Sequence, residues 1–479
     1  MNIKNKMKYG IIFFIVLANC KAYAQNGDTV LSLKQSVDLA IKNNLPVKQS
    51  DLQSQVDYIS LKQARANKLP DANAFINHGL NQGRSIDPFS NSYINQNVTY
   101  GNYTLSSSVV LSNGAQLKNL VKQNELGYAA SKADVQLAKE NLTLNVILAY
   151  LQVLNNEDLA KQSKNQIALT TRQVERLEIL DKEGAIIPAQ LYELKGQLAN
   201  DQLAFINNQN AVESSKLALA QLMNIPYNKN LHLERLTADQ YVVNYESDPE
   251  LIYEAASKIY PQLRAADFRT QSAMAGVKAA RGLFYPVVSL SGNLNSNFSS
   301  AARRDIFLNS IQEASGDFVT INGDQIPVIT TKSNFNSQKI NYIDQFRNNY
   351  GTSLSLNIRI PLLNANAAKN KLALAKINLQ NARYIEETDK IQLKQSIEQA
   401  FFNMKAANEK YKTLQQQVRD FQEAFKIAEV RFNEGATNQV EYLIAKNNYD
   451  RANINLISAL YDYVFRVKIL DYYQGKLSL

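Results

Sequence analysis

The sequence predicts a mainly α-helical chain carrying a smaller β part of membrane-barrel type. Three observations predict it. Gly and Pro almost vanish from two long stretches, between Gly114 and Gly184 and between Pro361 and Gly435. Four segments of roughly ten residues alternate apolar and polar side chains with period two. The two halves of the chain also repeat each other's punctuation at a fixed spacing, the mark of an internal duplication.

Composition sets the outer limits. Among 479 residues there are 10 Pro and 17 Gly, no Trp, two His (His78, His232) and one Cys (Cys20). That inventory excludes a His/Cys metal site and thiol chemistry, and no cofactor site is expected. Mean hydropathy is −0.31, so no bundle of transmembrane helices is expected, and no segment after residue 24 has eighteen consecutive apolar residues. No Gly-rich phosphate loop and no Gly-x-Ser-x-Gly occurs. Carboxylates spread along helices read as solvated faces, so the chain is not expected to be an enzyme. Charge of both signs is likewise spread along the helices, which argues against a nucleic-acid partner.

The N-terminus reads as an address. Lys4, Lys6 and Lys8 precede the apolar run Ile11–Ala18, and Ala22-Tyr23-Ala24 is a small-x-small cleavage site. The rival reading is a lipoprotein signal, with Leu17-Ala18-Asn19-Cys20 as its lipobox; Asn19 fits that pattern poorly. Removing residues 1–24 as a signal peptide takes away four lysines and no acid, turning +9 into +5, and deletes the only cysteine.

The long stretches come next. From Gly114 to Gly184 there is no Pro and only Gly127, and between Pro361 and Gly435 neither residue occurs. Each supports a helix of about 65 residues, about 100 Å long. Apolar positions keep helical spacing at Leu142, Val146, Ala149 and Val153, and at Ile391, Ile397, Phe401 and Met404. Each helix ends on the same signal, Glu183-Gly184-Ala185 and Glu434-Gly435-Ala436, where Gly takes the left-handed backbone without a Cβ clash. A second helix follows each turn, over about 188–224 and 438–473, so each half is an antiparallel helical hairpin. The tip glycines lie 251 residues apart, and at that offset Leu111 meets Leu362, Asn113 meets Asn364 and Lys195 meets Lys446. Upstream, Lys62-Gln63-Ala64-Arg65 parallels Lys278-Ala279-Ala280-Arg281 at an offset of 216.

The alternating segments are 72–82, 100–112, 287–298 and 350–361. Leu354, Leu356, Ile358 and Ile360 alternate with Ser353, Ser355, Asn357 and Arg359, and Tyr103, Leu105 and Val109 with Thr104, Ser106 and Ser108. Polar loops, 83–99 and 299–349, join each pair. A soluble sheet with one wet face reads the same way. Four strands are too few for a lumen, since the smallest outer-membrane barrels have about eight, so a closed barrel needs several chains. Tyr100, Tyr103, Tyr285 and Tyr350 sit beside the strand ends, either as interfacial girdles or as ordinary loop aromatics.

At this point the residues carry a resemblance to TolC-type outer-membrane efflux proteins, spanning the expected mature chain. Leu31–Pro46 resembles that family's opening helix, Ala149–Asn155 its mid-helix segment, Arg431-Phe432-Asn433-Glu434-Gly435 its tip turn, and Ile358–Leu362 the strand entering the second long helix. The resemblance implies a homotrimer with a shared 12-stranded β-barrel, four strands from each chain, in the outer membrane of a Gram-negative-type envelope. A helical barrel would cross the periplasm. It implies residues 25–224 as first repeat, 225–247 as equatorial connector, 248–475 as second repeat and 476–479 as C-terminal end. The function implied is a passive exit duct of a tripartite efflux or type I secretion system. Its partners would be outer-membrane lipid, a periplasmic adaptor (membrane fusion protein), and an inner-membrane pump or ABC transporter. The long segment 299–349 and the lack of an extended polar tail depart from the family pattern. The competing function classes are a periplasmic coiled-coil adaptor, which carries one hairpin rather than two, and an enzyme or ligand-binding protein.

Two sets of residues are singled out. Glu183, Gly184, Ala185, Glu434, Gly435 and Ala436 form tip turns expected to point away from the membrane and dock the adaptor; the plainer reading is that each Gly only stops a helix. The family's periplasmic gate carries acids just after the second tip turn. Glu441 matches the first of those positions, Ile444 stands where a second acid is usual, and Gln190 is the first-half equivalent of Glu441. Asn438-x-x-Glu441 also has capping-box spacing.

Overall fold

The computed structural model describes residues 30–86, 91–235 and 248–476. The expected signal peptide, residues 236–247 of the expected connector and residues 477–479 lie outside them. In chain order the elements begin with β1 (Val30–Leu31), α1 (Leu33–Asn43), α2 (Leu45–Ala66), β2 (Asp71–Asn81), β3 (Arg84–Ile86), β4 (Tyr93–Asn95) and β5 (Val98–Ser112). Then come α3 (Gln116–Lys182), α4 (Pro188–Met223), β6 (His232–Leu233), α5 (Pro249–Ile259), α6 (Pro261–Gly282), β7 (Val287–Ser299), β8 (Arg303–Ile321) and β9 (Asp324–Lys339). The chain closes with α7 (Tyr342–Asn348), β10 (Gly351–Arg359), α8 (Ala367–Asn433) and α9 (Gln439–Tyr473).

Local chemistry sets many of these boundaries. Ser32 caps α1 by accepting from Gln35 N while the Gln35 side chain returns to Ser32 N, a complete capping box. Pro188, Pro249 and Pro261 each open a helix, where a missing N–H is harmless. Helices α3 and α8 both have 67 residues, and their starts and ends are offset by the same 251 residues as the tip glycines. Helices α1 and α5 have 11 residues each and α2 and α6 have 22, at an offset of 216.

Contacts divide the chain into two units. The helical unit comprises residues up to Gln55, Ala129–Asp267 and Tyr384 onward. One of its cores gathers Val37, Val146, Tyr150, Leu154, Leu219, Met223 and Val464. The Tyr150 hydroxyl lies 3.0 Å from Leu31 O and 2.7 Å from Glu234 O, pinning the parallel bridge of β1 with β6. A second core packs Ile252, Ile397, Met404, Val467 and Leu470. Leu142, Val146, Val153, Ile397 and Met404 are buried. Ile391, read from the sequence as part of the same apolar row, is instead half exposed (50%); the buried row at that level runs through Leu393.

The other unit, Val56–Tyr128 and Phe268–Arg383, holds the main sheet. Its four strands are ordered β10-β7-β5-β2 and every pairing is antiparallel. The registers place Ala74, Leu105, Leu294 and Thr352 in one row and Ile76, Tyr103 and Ser296 in the next, with Leu354, Leu356 and Ile358 continuing the same face. The opposite face carries Asn73, Asn77, Thr104, Ser106, Ser291, Asn293, Asn295, Ser353 and Asn357.

The segment 299–349 corrects the sequence reading. It is not a featureless polar loop: β8 and β9 form a long antiparallel hairpin, and α7 follows. Asn322 (φ 58) and Gly323 (φ 98) make its turn, the positive-φ pair that matches the twist of flanking strands. Helix α7 is fastened to the end of β7 through buried Gln345, which donates to Ser299 O (3.0 Å) and accepts from Ser299 N (2.9 Å). Within the shorter segment 83–99, β3 and β4 pair in the same manner.

Candidate functional site

The two tip turns are built alike. Gly184 has φ 67 and Gly435 has φ 71. Ala185 N donates to Leu180 O (2.8 Å) and Gly184 N to Asp181 O (3.0 Å), while Ala436 N donates to Arg431 O (2.7 Å) and Gly435 N to Phe432 O (3.2 Å). Both are Schellman motifs, which satisfy carbonyls left over at a helix end. Glu183, Gly184, Ala185, Glu434, Gly435 and Ala436 are all exposed. An added Cβ at either glycine would meet nothing within 4 Å, so backbone conformation alone demands glycine there.

Side chains hold the two hairpins together just behind these turns. Val174, Leu177, Leu191 and Leu194 form a small core against which Phe432 and Leu443 pack. The Arg176 guanidinium donates to the side chain and carbonyl of Asn433. Buried Gln439 donates to Gln190 O at 2.9 Å; Gln190 therefore contributes its backbone to this joint and is half-buried.

Glu441 is exposed and capped into its helix. Its N–H donates to Asn438 Oδ1 at 2.9 Å, Thr437 Oγ1 donates to its carboxylate, and an Arg431 guanidinium nitrogen stands 4.0 Å away. The helix-cap reading is realised, and the nearby cation was not anticipated from the sequence.

Further along the hairpins lies an ionic cluster that sequence reasoning missed. Lys446 Nζ, with a side chain only 1% exposed, sits 2.7 Å from Asp450 Oδ2 and 3.2 Å from Asp201 Oδ2. Thr170 Oγ1 donates to the same Asp201 oxygen (2.5 Å) and Gln197 Nε2 to the other (2.8 Å). Burial pushes the Asp450 carboxyl above its ordinary range, against the downward pull of Lys446. Lys195, the offset partner of Lys446 in the sequence, is instead a surface residue paired with Glu178 at 2.8 Å.

The sheet presents its apolar face to the exterior of the chain: Ile76 is 77% and Leu354 76% exposed. At one end of that face Tyr342 donates to Tyr103 Oη (2.7 Å), and the rings of Phe298, Tyr342, Tyr103, Phe346 and His78 pack in a chain with centroid spacings of 4.8–6.3 Å. Of the four expected tyrosines Tyr103 joins this cluster; Tyr285 and Tyr350 are exposed. The alternation in β5 pointed to Tyr103, but nothing local indicated that α7 would return over it and Phe298. His232 lies in β6, exposed.

Among the described residues no group of His, Cys, Asp or Glu is arranged to hold a metal ion, and no helix is long and apolar enough to cross a membrane.

Residues 252–471 match the family model for outer membrane efflux proteins. No curated protein matches the chain in sequence. Among solved structures the fold is similar to that of CusC, a transmembrane channel (TM-score 0.73, 16% identity, covering 92% of this chain and 91% of that one). It is similar also to the outer membrane protein VceC of Vibrio cholerae (0.72, 16%, 93% and 95%) and to the MtrE outer membrane channel of Neisseria gonorrhoeae in its open state (0.71, 18%, 93% and 89%). With the signature of outer membrane efflux proteins carried by residues 252–471 and the channel fold shared along nearly the whole chain, the matched region is that of an outer membrane efflux protein of TolC type, a protein of the outer membrane.

Proposed function

We propose that three copies of this chain form a passive duct that carries substrates from an inner-membrane pump across the periplasm and outer membrane. One observation carries the reading: a four-stranded antiparallel sheet with an exposed apolar face, a mostly Ser/Asn-lined opposite face, and strands β2 and β10 whose outer edges pair with no other strand among the described residues. Four strands cannot enclose a lumen, and open edges do not face hydrocarbon. Twelve strands from three copies satisfy both constraints. The apolar row then meets lipid and the amide and hydroxyl row lines water.

The helices support the same count. Leu45, Leu52, Val56 and Ile59 on α2, and Leu374, Ile377, Tyr384 and Ile391 on α8, stay 50–64% exposed at heptad-like spacing. Such stripes are the seams through which helices of separate copies associate. The matching helix lengths and offsets support an origin of each copy in two repeats, 25–224 and 248–475 joined by 225–247. The exposed tip turns are the surface we assign to a periplasmic adaptor, and Glu441, with Gln190 as its neutral counterpart, to the periplasmic entrance. No chemistry is asked of the chain; it acts as a conduit, not an enzyme.

The test is direct. Outer-membrane preparations should contain a heat-modifiable trimer, and the purified protein should open ion-conducting pores in planar bilayers. A monomer released with soluble periplasmic proteins would falsify the duct.

A further inference from the structure

Within the four strands of the main sheet, Asp71 and Arg359 are the only Asp, Glu, Lys or Arg residues. They occupy opposite edges: Asp71 opens β2 and Arg359 closes β10. Because β2 and β10 run in opposite directions, both charges stand at the same end of the sheet. Both also belong to the polar face. Asp71 is matched with Ser108, Ser108 with Ser291 and Ser291 with Ser355, and Arg359 lies an even number of residues beyond Ser355. Asp71 accepts from Ser108 N (2.9 Å), Ser108 Oγ (2.7 Å) and Asn73 Nδ2 (2.9 Å), all neutral donors. Among the described residues neither Asp71 nor Arg359 has an ion-pair partner in its own chain.

From these facts we infer that the seam between copies is a pairing of β10 with β2 of the neighbouring copy, locked by an Arg359–Asp71 ion pair on the lumen side. The inference rests on the three-copy barrel proposed above and adds its register.

Geometry selects that register. Crossing the sheet along the hydrogen-bonding direction leads from Asp71 to Ser355, four residues short of Arg359. Placing Arg359 beside the neighbour's Asp71 therefore slides the ladder by four residues over four strand steps. At about 3.3 Å per residue and about 4.8 Å per strand, this is a strand tilt of about 35°, inside the range that closed barrels adopt. A slip of one residue would put Ile358 and Leu356 on the water side. A slip of two residues steepens the tilt to about 46° and leaves Arg359 diagonal to Asp71, still within reach of a long side chain. In the direct register Ile358 faces Ala72, Leu356 faces Ala74 and Asn357 faces Asn73. Large side chains thus fall opposite small ones on the lipid side, and amide opposite amide in the lumen.

Paired cysteines test the seam in the full-length protein. Opposed residues in neighbouring strands have Cα atoms about 4.5–5.5 Å apart, within disulfide reach. The variant carrying both Asp71→Cys and Arg359→Cys should run as covalent dimers and trimers on non-reducing gels and collapse to monomer with reductant. Each single variant should stay monomeric, which also controls for Cys20. Independently, Arg359→Glu should lower the temperature at which the trimer dissociates in detergent, and adding Asp71→Lys should recover most of the fall. A heat-modifiable trimer that forms no such crosslink and shows no recovery overturns this seam while leaving the duct in place. Absence of any trimer from the unaltered protein overturns both.

Discussion

Lys446 Nζ lies 3.2 Å from Asp201 Oδ2, with side chains 1% and 7% exposed, and this contact joins the second helical hairpin to the first. Asp450 completes a triad in which one ammonium serves two carboxylates. Removing one partner of a buried pair leaves an uncompensated charge, which costs about 3–5 kcal/mol. Lys446→Ala should therefore destabilise the protein by about 3 kcal/mol or more, seen as a lowered thermal midpoint in detergent. Lys195→Ala, at the exposed offset position, should cost under about 1 kcal/mol.

The same triad sets a pH dependence. Burial raises the Asp450 carboxyl above its ordinary value, with Lys446 pulling it down and Asp201 pushing it up. A carboxyl raised on folding contributes stability that is fully present below its unfolded pKa of about 4 and is lost as pH rises through the folded value. Asp450→Asn keeps an acceptor for Lys446 and removes the buried charge. The variant should be more stable than the native chain at pH 7, and the difference should vanish as the pH falls below about 4. Thermal melts of both proteins at the two pH values check the sign.

The β8–β9 hairpin closes on itself at its base, where Ile340 N donates to Ala302 O at 3.1 Å. Many of its apolar side chains, Phe307, Phe318 and Ile329 among them, are exposed, and among the described residues its two strands pair only with each other. Deleting Arg303–Lys339 and joining Ala302 to Ile340 should preserve the heat-modifiable trimer and its bilayer conductance. Loss of the trimer would show that the hairpin serves assembly.

How legible this was in the sequence depended on the range of the interaction. The long helices and tip turns rest on local signals: missing Pro, Gly at the αL position, and constant offsets between halves. The strands of the main sheet were visible because one face is mostly apolar and the other mostly polar, with Phe75 of β2 and Val110 of β5 as exceptions on the polar face. The hairpin at 303–339 was overlooked although Asn322-Gly323 announced its turn, because its strands lack clean alternation and a long polar stretch reads as loop. The Lys446–Asp201 pair was out of reach for another reason. Its two residues are 245 apart in sequence, and only packing α9 against α4 brings them together.

At the tips the cost of substitution is conformational. Both glycines have positive φ and open space around the missing Cβ, so Gly184→Val and Gly435→Val should each cost about 1–2 kcal/mol through backbone strain alone. Docking is better probed at the exposed neighbours. Ala185→Trp with Ala436→Trp adds bulk without disturbing either Schellman motif. The pair should abolish export in the source strain lacking its own copy, with trimer level unchanged on gels. Normal export by this variant would refute the adaptor role of the turns.

Glu441 offers a test of the entrance. The helix cap uses its backbone N–H, through Asn438; the exposed carboxylate, held by the Thr437 hydroxyl and tempered by Arg431 at 4.0 Å, still presents its charge to ions. Threefold symmetry would bring three such carboxylates together, and rings of acids favour cations. Glu441→Gln retains the backbone cap and removes the charge. It should shift the reversal potential in a salt gradient toward anions and weaken block by multivalent cations. Arg431→Gln removes the opposing charge and should shift both in the other direction. Because exposed pairs contribute under about 1 kcal/mol to stability, neither variant should change the melting temperature appreciably, so selectivity and folding separate cleanly. Identical selectivity in the native chain and both variants would leave Glu441 as a helix cap and move the constriction elsewhere along α8 and α9.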